Sequence, residues 1–229
     1  MLHVISLGGS VVAPDGADEQ FIRDFVLMIE SLLKEDAERR FIFVVGGGGP
    51  ARVWQRVYRN ICGDRAEAQQ ADWIGIMATR LNAQLIKAVF GDFCVQDLVT
   101  DPTQVSAFVG RVMVAAGWKP GFSSDNDAVL LAERFGADTV INLSNIEQVY
   151  TDDPDKNPDA TPVNLISWAD FCALVGESWV PGKHVPFDPV ASRRAAERGL
   201  TVICTAGRNL DNLKQLLEGK SFIGTIIKN

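Results

Sequence analysis

Three short stretches of small residues hold most of the groups in this chain that could do chemistry. They are Gly8-Gly9-Ser10, Gly46-Gly47-Gly48-Gly49 and the longer Gly117-Trp118-Lys119-Pro120-Gly121-Phe122-Ser123-Ser124-Asp125. The four-glycine stretch follows the apolar run Phe41-Ile42-Phe43-Val44-Val45 and precedes Pro50-Ala51-Arg52. Glycines set between a buried strand and a helix let backbone N–H groups approach an anion at a positively polarised helix end. A tight turn that binds nothing needs one or two glycines, so four favour the anion. Arg52 lies one turn into that helix, where its guanidinium either reaches a phosphate or stays in solvent as ordinary helix charge. Asp72, in Asp72-Trp73-Ile74-Gly75-Ile76, suits either sugar hydroxyls or a helix cap. Ser123-Ser124-Asp125 precedes a helix and offers hydroxyls and N–H groups to phosphate, or a capping box. Lys119 and Lys183 are loop lysines available to neutralise phosphate charge, and Tyr150-Thr151-Asp152-Asp153-Pro154 offers an aromatic face and carboxylates to a nucleoside or a turn.

Several chemistries are disfavoured. Neither GxGxxG nor GxxxxGK[ST] occurs at these glycines, which removes the two commonest nucleotide-binding patterns. There is no GxSxG, and His3 and His184 are the only histidines, so a serine hydrolase or a His-rich metal centre is poorly supported. The cysteines Cys62, Cys94, Cys172 and Cys204 are far apart, which fits reduced thiols better than a disulfide framework or a zinc site, and no protein-held metal is expected. A formal charge of −7 argues against nucleic-acid or anionic-membrane partners. The N-terminus runs straight into a strand-like segment with no signal-peptide pattern, and a cytoplasmic location is the expectation.

The elements that must position these residues follow from periodicity. Strands are predicted over residues 3–7, 41–45, 93–95, 111–115, 138–143, 201–204 and 222–227. Helices are predicted over 18–38 with Asp18 as N-cap, and over 50–60, 126–135, 168–175, 190–198 and 210–217. A long helix over 66–89 has a possible interruption at Gly75, and 144–162 and 181–189 read as loops. Alternating strands and helices predict an α/β fold: a three-layer αβα sandwich with a largely parallel central sheet, in one domain spanning 1–229. In such a sheet the glycine-bearing loops follow strand C-termini and gather on one edge, where ligands bind.

Taken together, these stretches resemble the amino-acid kinase family, and within it the archaeal-type UMP kinases. The resemblance runs through nearly the whole chain in order. It is carried by Ile5-Ser6-Leu7-Gly8-Gly9-Ser10, Val45 to Arg52, Asp72-Trp73-Ile74-Gly75-Ile76, and Thr79-Arg80-Leu81-Asn82-Ala83. Pro120 to Asp125, Asn145 to Pro154, Phe187-Asp188-Pro189-Val190-Ala191 and Ile223-Gly224-Thr225-Ile226-Ile227 complete it. The resemblance implies transfer of the ATP γ-phosphoryl group to UMP, giving UDP and ADP, with Mg2+ bound with ATP. It places Gly9, Ser10, Gly48 and Arg52 on the ATP phosphates, and Ser144, Asn145, Tyr150 and Asp153 around the rest of ATP. Gly47, Asp72, Trp118, Lys119, Pro120, Gly121, Phe122, Ser123 and Ser124 would hold UMP, with Asp72 on the ribose. Ser10, Arg52, Lys119 and Asp188 would surround the reacting centre, Asp188 as an organiser of charge. The family commonly assembles as a hexamer of dimers, so a homo-oligomer is expected.

The chain departs from the family pattern at several places. Ser6 and Gly49 stand where charged or polar residues are common, Gln148 replaces a turn glycine, and Trp118 and Phe122 replace small or hydrogen-bonding residues. These departures keep two other readings open. One is a sister kinase acting on another small phosphate or carboxylate, and the other is a catalytically weak nucleotide- or oxyanion-binding protein with the same fold.

Overall fold

The computed structural model describes residues 1–152, 156–176 and 185–229, so Asp153 and Lys183 lie outside the described residues. The strands are β1 (Leu2–Leu7), β2 (Arg40–Val45), β3 (Val112–Ala116), β4 (Thr139–Ser144), β5 (Val149–Tyr150), β6 (Pro162–Val163), β7 (Leu165–Ile166), β8 (Thr201–Ala206) and β9 (Thr225–Ile227). The helices are α1 (Gly9–Val12), α2 (Glu19–Glu35), α3 (Gly48–Cys62), α4 (Ala68–Phe90), α5 (Ser124–Phe135), α6 (Trp168–Val175), α7 (Pro189–Glu197) and α8 (Leu210–Leu217). A seven-stranded sheet runs β3-β2-β1-β4-β8-β9-β7, and β5 and β6 form a separate antiparallel pair. From β3 to β8 the strands are parallel, while β9 returns antiparallel to β8.

Successive strand residues point to opposite faces, so a sheet covered on both sides needs continuous apolar runs. In β2, Phe41, Phe43 and Val45 join one core with Phe25, Leu32, Ile86, Phe90 and Leu213 of α2, α4 and α8. Ile42 and Val44 join the opposite core with Val129, Ala132, Phe171 and Ala191 of α5, α6 and α7. The predicted sandwich is therefore present, with helices on both faces of a mostly parallel sheet. Among the described residues, no helix is long and apolar enough to cross a membrane.

Local expectations differ in four places. Residues 91–93 form a 3-10 turn and no strand covers 93–95; the chain meets the sheet instead at a bridge between Val99 and Ala115. α4 is unbroken at Gly75, because the missing side chain admits Gln55 of α3: a Cβ there would sit 2.4 Å from Gln55 Nε2. α3 starts at Gly48 rather than Pro50, which places Pro50 in the first turn, where its missing N–H is not needed. The predicted loop over 144–162 contains β5, whose two residues are too few to show a period.

Candidate active site

A cavity of about 370 Å³ opens beside the C-terminal ends of β2 and β3. Three helix N-termini border it. α3 contributes Gly46, Gly47 and Gly48, α5 contributes Ser123 and Ser124, and α7 contributes Asp188 and Val190. Each first turn leaves N–H groups without intrahelical partners, and the helix dipoles add partial positive charge. Convergence of three such ends suits a multiply charged anion. The caps differ in kind: Ser123 Oγ takes the Asn126 N–H, Asp188 Oδ1 takes the Ala191 N–H at 2.8 Å, and α3 has no side-chain cap. Arg52 supplies the positive side chain in the cavity lining, although its guanidinium also donates to the Pro14 carbonyl at 3.2 Å.

The glycines have a packing role that precedes any ligand. A Cβ on Gly9 would lie 2.0 Å from Gly48 N, and one on Gly46 would lie 2.4 Å from Gly9 N. Gly48 holds a φ of +62°, and its added Cβ would meet the Ala13 carbonyl at 2.2 Å. The loops after β1 and β2 thus lie backbone on backbone. Asn82 of α4 clamps this turn, donating from Nδ2 to the Gly46 and Gly47 carbonyls at 2.9 and 3.2 Å.

The loop after β3 is anchored mostly by α4. Thr79 Oγ1 accepts the Gly117 N–H at 2.8 Å, and Asp72 Oδ2 accepts the Gly121 N–H at 3.1 Å. Arg80 donates to the Gly117 and Trp118 carbonyls. Asp72 is inside α4 and does not cap it, so the capping alternative fails. On the far wall, the buried Ser6 hydroxyl donates to Asp125 Oδ1 at 2.7 Å, and Asp125 Oδ2 takes the Asp188 N–H at 3.2 Å. Burial, with the nearby Asp188 charge, pushes the Asp125 pKa up to about 6 against the opposing Ser6 bond. Burial pushes Asp127 up to about 7, with the charges of Asp125 and Asp101 adding to it and the Trp118 N–H opposing.

A strand–glycine–helix edge of this kind is a fold-level feature, and sequence comparison tells which family owns it. The profile of the amino acid kinase family matches residues 1–206. The chain belongs to that family. Its relatives include the uridylate kinase of Methanospirillum hungatei, 34% identical over 227 residues, covering 98% of this chain and 93% of that protein. The uridylate kinase of Pyrococcus abyssi is 31% identical over 223 residues, covering 96% of each. Among solved structures, uridylate kinase from Archaeoglobus fulgidus superposes with a TM-score of 0.83 at 31% identity, covering 99% of this chain and all of that one.

The residues singled out by sequence fall into two groups. Gly47, Gly48, Arg52, Asp72 and Asp188 line the cavity, together with Gly121, Phe122, Ser123 and Ser124. Gly9 sits behind the glycine turn and does not line the cavity, and Ser10 is in the short α1. Ser144 ends β4, Asn145 is the exposed residue after it, and Tyr150 belongs to β5; none of the three borders this cavity. Trp118, Lys119 and Pro120 are not in the lining either, and the Lys119 ammonium rests 3.8 Å above the Trp118 ring and 4.8 Å above that of Phe122. The anchors Thr79, Arg80 and Asn82 lie in the Thr79-Arg80-Leu81-Asn82-Ala83 stretch, where residue type alone assigns them no role. Residue type assigns none to Asp125 either. Gln148, standing where the family has a turn glycine, is buried and donates to Asn164 Oδ1 at 2.7 Å and to the Gly224 carbonyl. Among the described residues only glycines have positive φ, so position 148 does not use the backbone freedom a glycine offers.

Proposed function

We propose that this member of the family is a uridylate kinase, transferring the γ-phosphoryl group of ATP to UMP to give UDP and ADP. The observation that carries the reading is the cavity, in which three helix N-termini and Arg52 meet Asp72 across a space sized for a mononucleotide. The uridylate kinases to which the chain is similar, aligned over nearly its whole length, support the same acceptor. Phosphoryl transfer asks for alignment and charge neutralisation more than for covalent chemistry. In this reading Arg52 and the α5 N-terminus hold the acceptor phosphate and the group in flight. Gly47, Gly121, Phe122 and Ser123 shape the acceptor pocket, and Asp72 takes the ribose hydroxyls. Gly9, Ser10 and Gly48 carry the ATP phosphates, with Ser144, Asn145 and Tyr150 around the adenosine.

Magnesium would arrive with ATP, and Asp188, whose side chain lines the cavity, is an acidic residue placed to face it. Bound there, it supplies neutralisation of the phosphate charge. Asp188, its loop held by Asp125, then keeps one negative group fixed beside the transferring centre. Lys119 reaches phosphate only by leaving its two rings. Self-association belongs to the same reading, because α3 and α4 leave Trp54, Ile61, Met77 and Leu81 exposed.

The reading is tested by thermal unfolding with ligands. UMP at about one hundred times its Kd adds roughly 2.7 kcal/mol to stability. Stabilisation by UMP and by Mg-ATP, with none from free oxyanions, is the expected result. Stabilisation by oxyanions alone supports the binding-protein reading instead.

A further inference from the structure

Asp127 is a buried carboxylate to which the proposed reaction gives no role. It lies in the first turn of α5 with 1% of its surface exposed. Its Oδ2 takes the Trp118 N–H at 3.1 Å, and its Oδ1 is buried with no hydrogen-bond partner. Helix capping does not account for it, since Ser123 already caps α5. A half-satisfied buried carboxylate is costly, and an apolar side chain would be cheaper at a site of core packing alone.

What that cost secures is visible in Trp118. Its amide is held by Asp127 and its carbonyl by Arg80 at 3.1 Å. The indole on that fixed backbone meets the Phe122 ring edge-on at 4.8 Å, and Lys119 spans both rings. Phe122 in turn lines the acceptor cavity. We infer that Asp127 is a positioning residue for the acceptor: it fixes Trp118, and Trp118 buttresses Phe122 as a wall of the UMP pocket. This inference rests on the uridylate kinase reading for the identity of the acceptor.

The test compares the full chain with Asp127→Ala, Asp127→Asn, Trp118→Leu and the double variant Asp127→Ala/Trp118→Leu. Losing one buried hydrogen bond and its buttress is expected to raise the UMP KM about 10-fold in Asp127→Ala. The ATP KM stays within about 2-fold, because the proposed reading puts ATP on other residues. Asp127→Asn keeps a carbonyl for the Trp118 amide and restores the UMP KM. Trp118→Leu raises it as Asp127→Ala does, and the double variant is no worse than either, as residues acting as one unit behave. Equal effects on both substrates, an Asn variant as poor as the Ala variant, or additive effects in the double variant would overturn the proposal.

Hydrogen–deuterium exchange over residues 117–122 gives a readout that needs no substrate. Faster exchange there in Asp127→Ala, restored in Asp127→Asn, is expected, and unchanged exchange refutes the positioning role. If the wild type does not phosphorylate UMP, the acceptor reading falls, and the exchange result alone decides the role of Asp127. If Asp127→Ala does not fold, the Asn and Trp118→Leu variants decide it.

Discussion

Arg52 and Asp72 divide the labour of the cavity, one carrying charge and the other accepting hydrogen bonds. Arg52 is exposed and donates to the Pro14 carbonyl at the surface, so its removal should leave the fold intact. A charge-assisted bond to phosphate is worth roughly 1.5–3 kcal/mol, so Arg52→Ala should lower kcat/KM by about 10- to 100-fold. Its melting temperature should stay within ~2 °C of wild type; kinetics unchanged by the substitution would remove Arg52 from the site. Asp72→Asn should raise the UMP KM about 10-fold and leave the ATP KM alone. Equal effects on both would argue against a ribose role. Both residues were legible in sequence because each sits beside a recognisable glycine or apolar pattern. Asn82 and Asp125 were not: their partners are a carbonyl 36 residues away and a hydroxyl 119 residues away, which no local spacing encodes. In sequence Ser6 is only a missing charge, and its hydrogen bond to the part-buried Asp125 carboxylate shows only in three dimensions.

The first turn of α5 has a pH signature of its own. An unfolded aspartate has a pKa near 3.9, and folding lifts Asp125 to about 6 and Asp127 to about 7. The folded state therefore binds more protons than the unfolded chain between those values. The contribution to stability is full below about pH 4 and is lost as pH rises to about 7. Asp127→Asn removes that loss at its position, so its melting temperature should climb relative to wild type between pH 4.5 and 8, by ~5 °C or more. A gap that does not change with pH would contradict the shift. The glycine interlock makes a second prediction: Gly9→Ala forces a methyl to 2.0 Å from Gly48 N, where only backbone could give way. Overpacking of this kind should cost about 1–3 kcal/mol or more in chemical denaturation, and turnover should fall with it. Helices with clean apolar periodicity were legible to the residue, as with α6 and α8. Gly75 misled because a helix break and a close helix–helix contact both call for glycine, and the neighbour across the contact is invisible in the local sequence. The four glycines meet a second demand hidden from the local sequence: three of them pack against the preceding loop before any anion is considered.

At the scale of the whole molecule, alternation of apolar runs and amphipathic helices carried the sandwich, because a covered parallel sheet demands it. Strand order and the antiparallel β9 were not legible, since nothing in a three-residue strand states its neighbour. The exposed side chains of α3 and α4 bear on assembly. Ile61 is 73% and Leu81 72% exposed, and in the self-association proposed above these are side chains that a second copy covers. Met77→Glu combined with Leu81→Glu should reduce the sedimenting mass of the wild-type species while leaving the monomer folded; an unchanged mass would place the association elsewhere or exclude it. The central claim, a UMP-specific phosphotransferase, is tested most directly by coupled ADP release with ATP, magnesium and a panel of UMP, CMP, dUMP, isopentenyl phosphate and carbamate. Turnover with UMP well above that with every other acceptor is the predicted result. Turnover on a different acceptor, or none on any while ATP still binds, would contradict it.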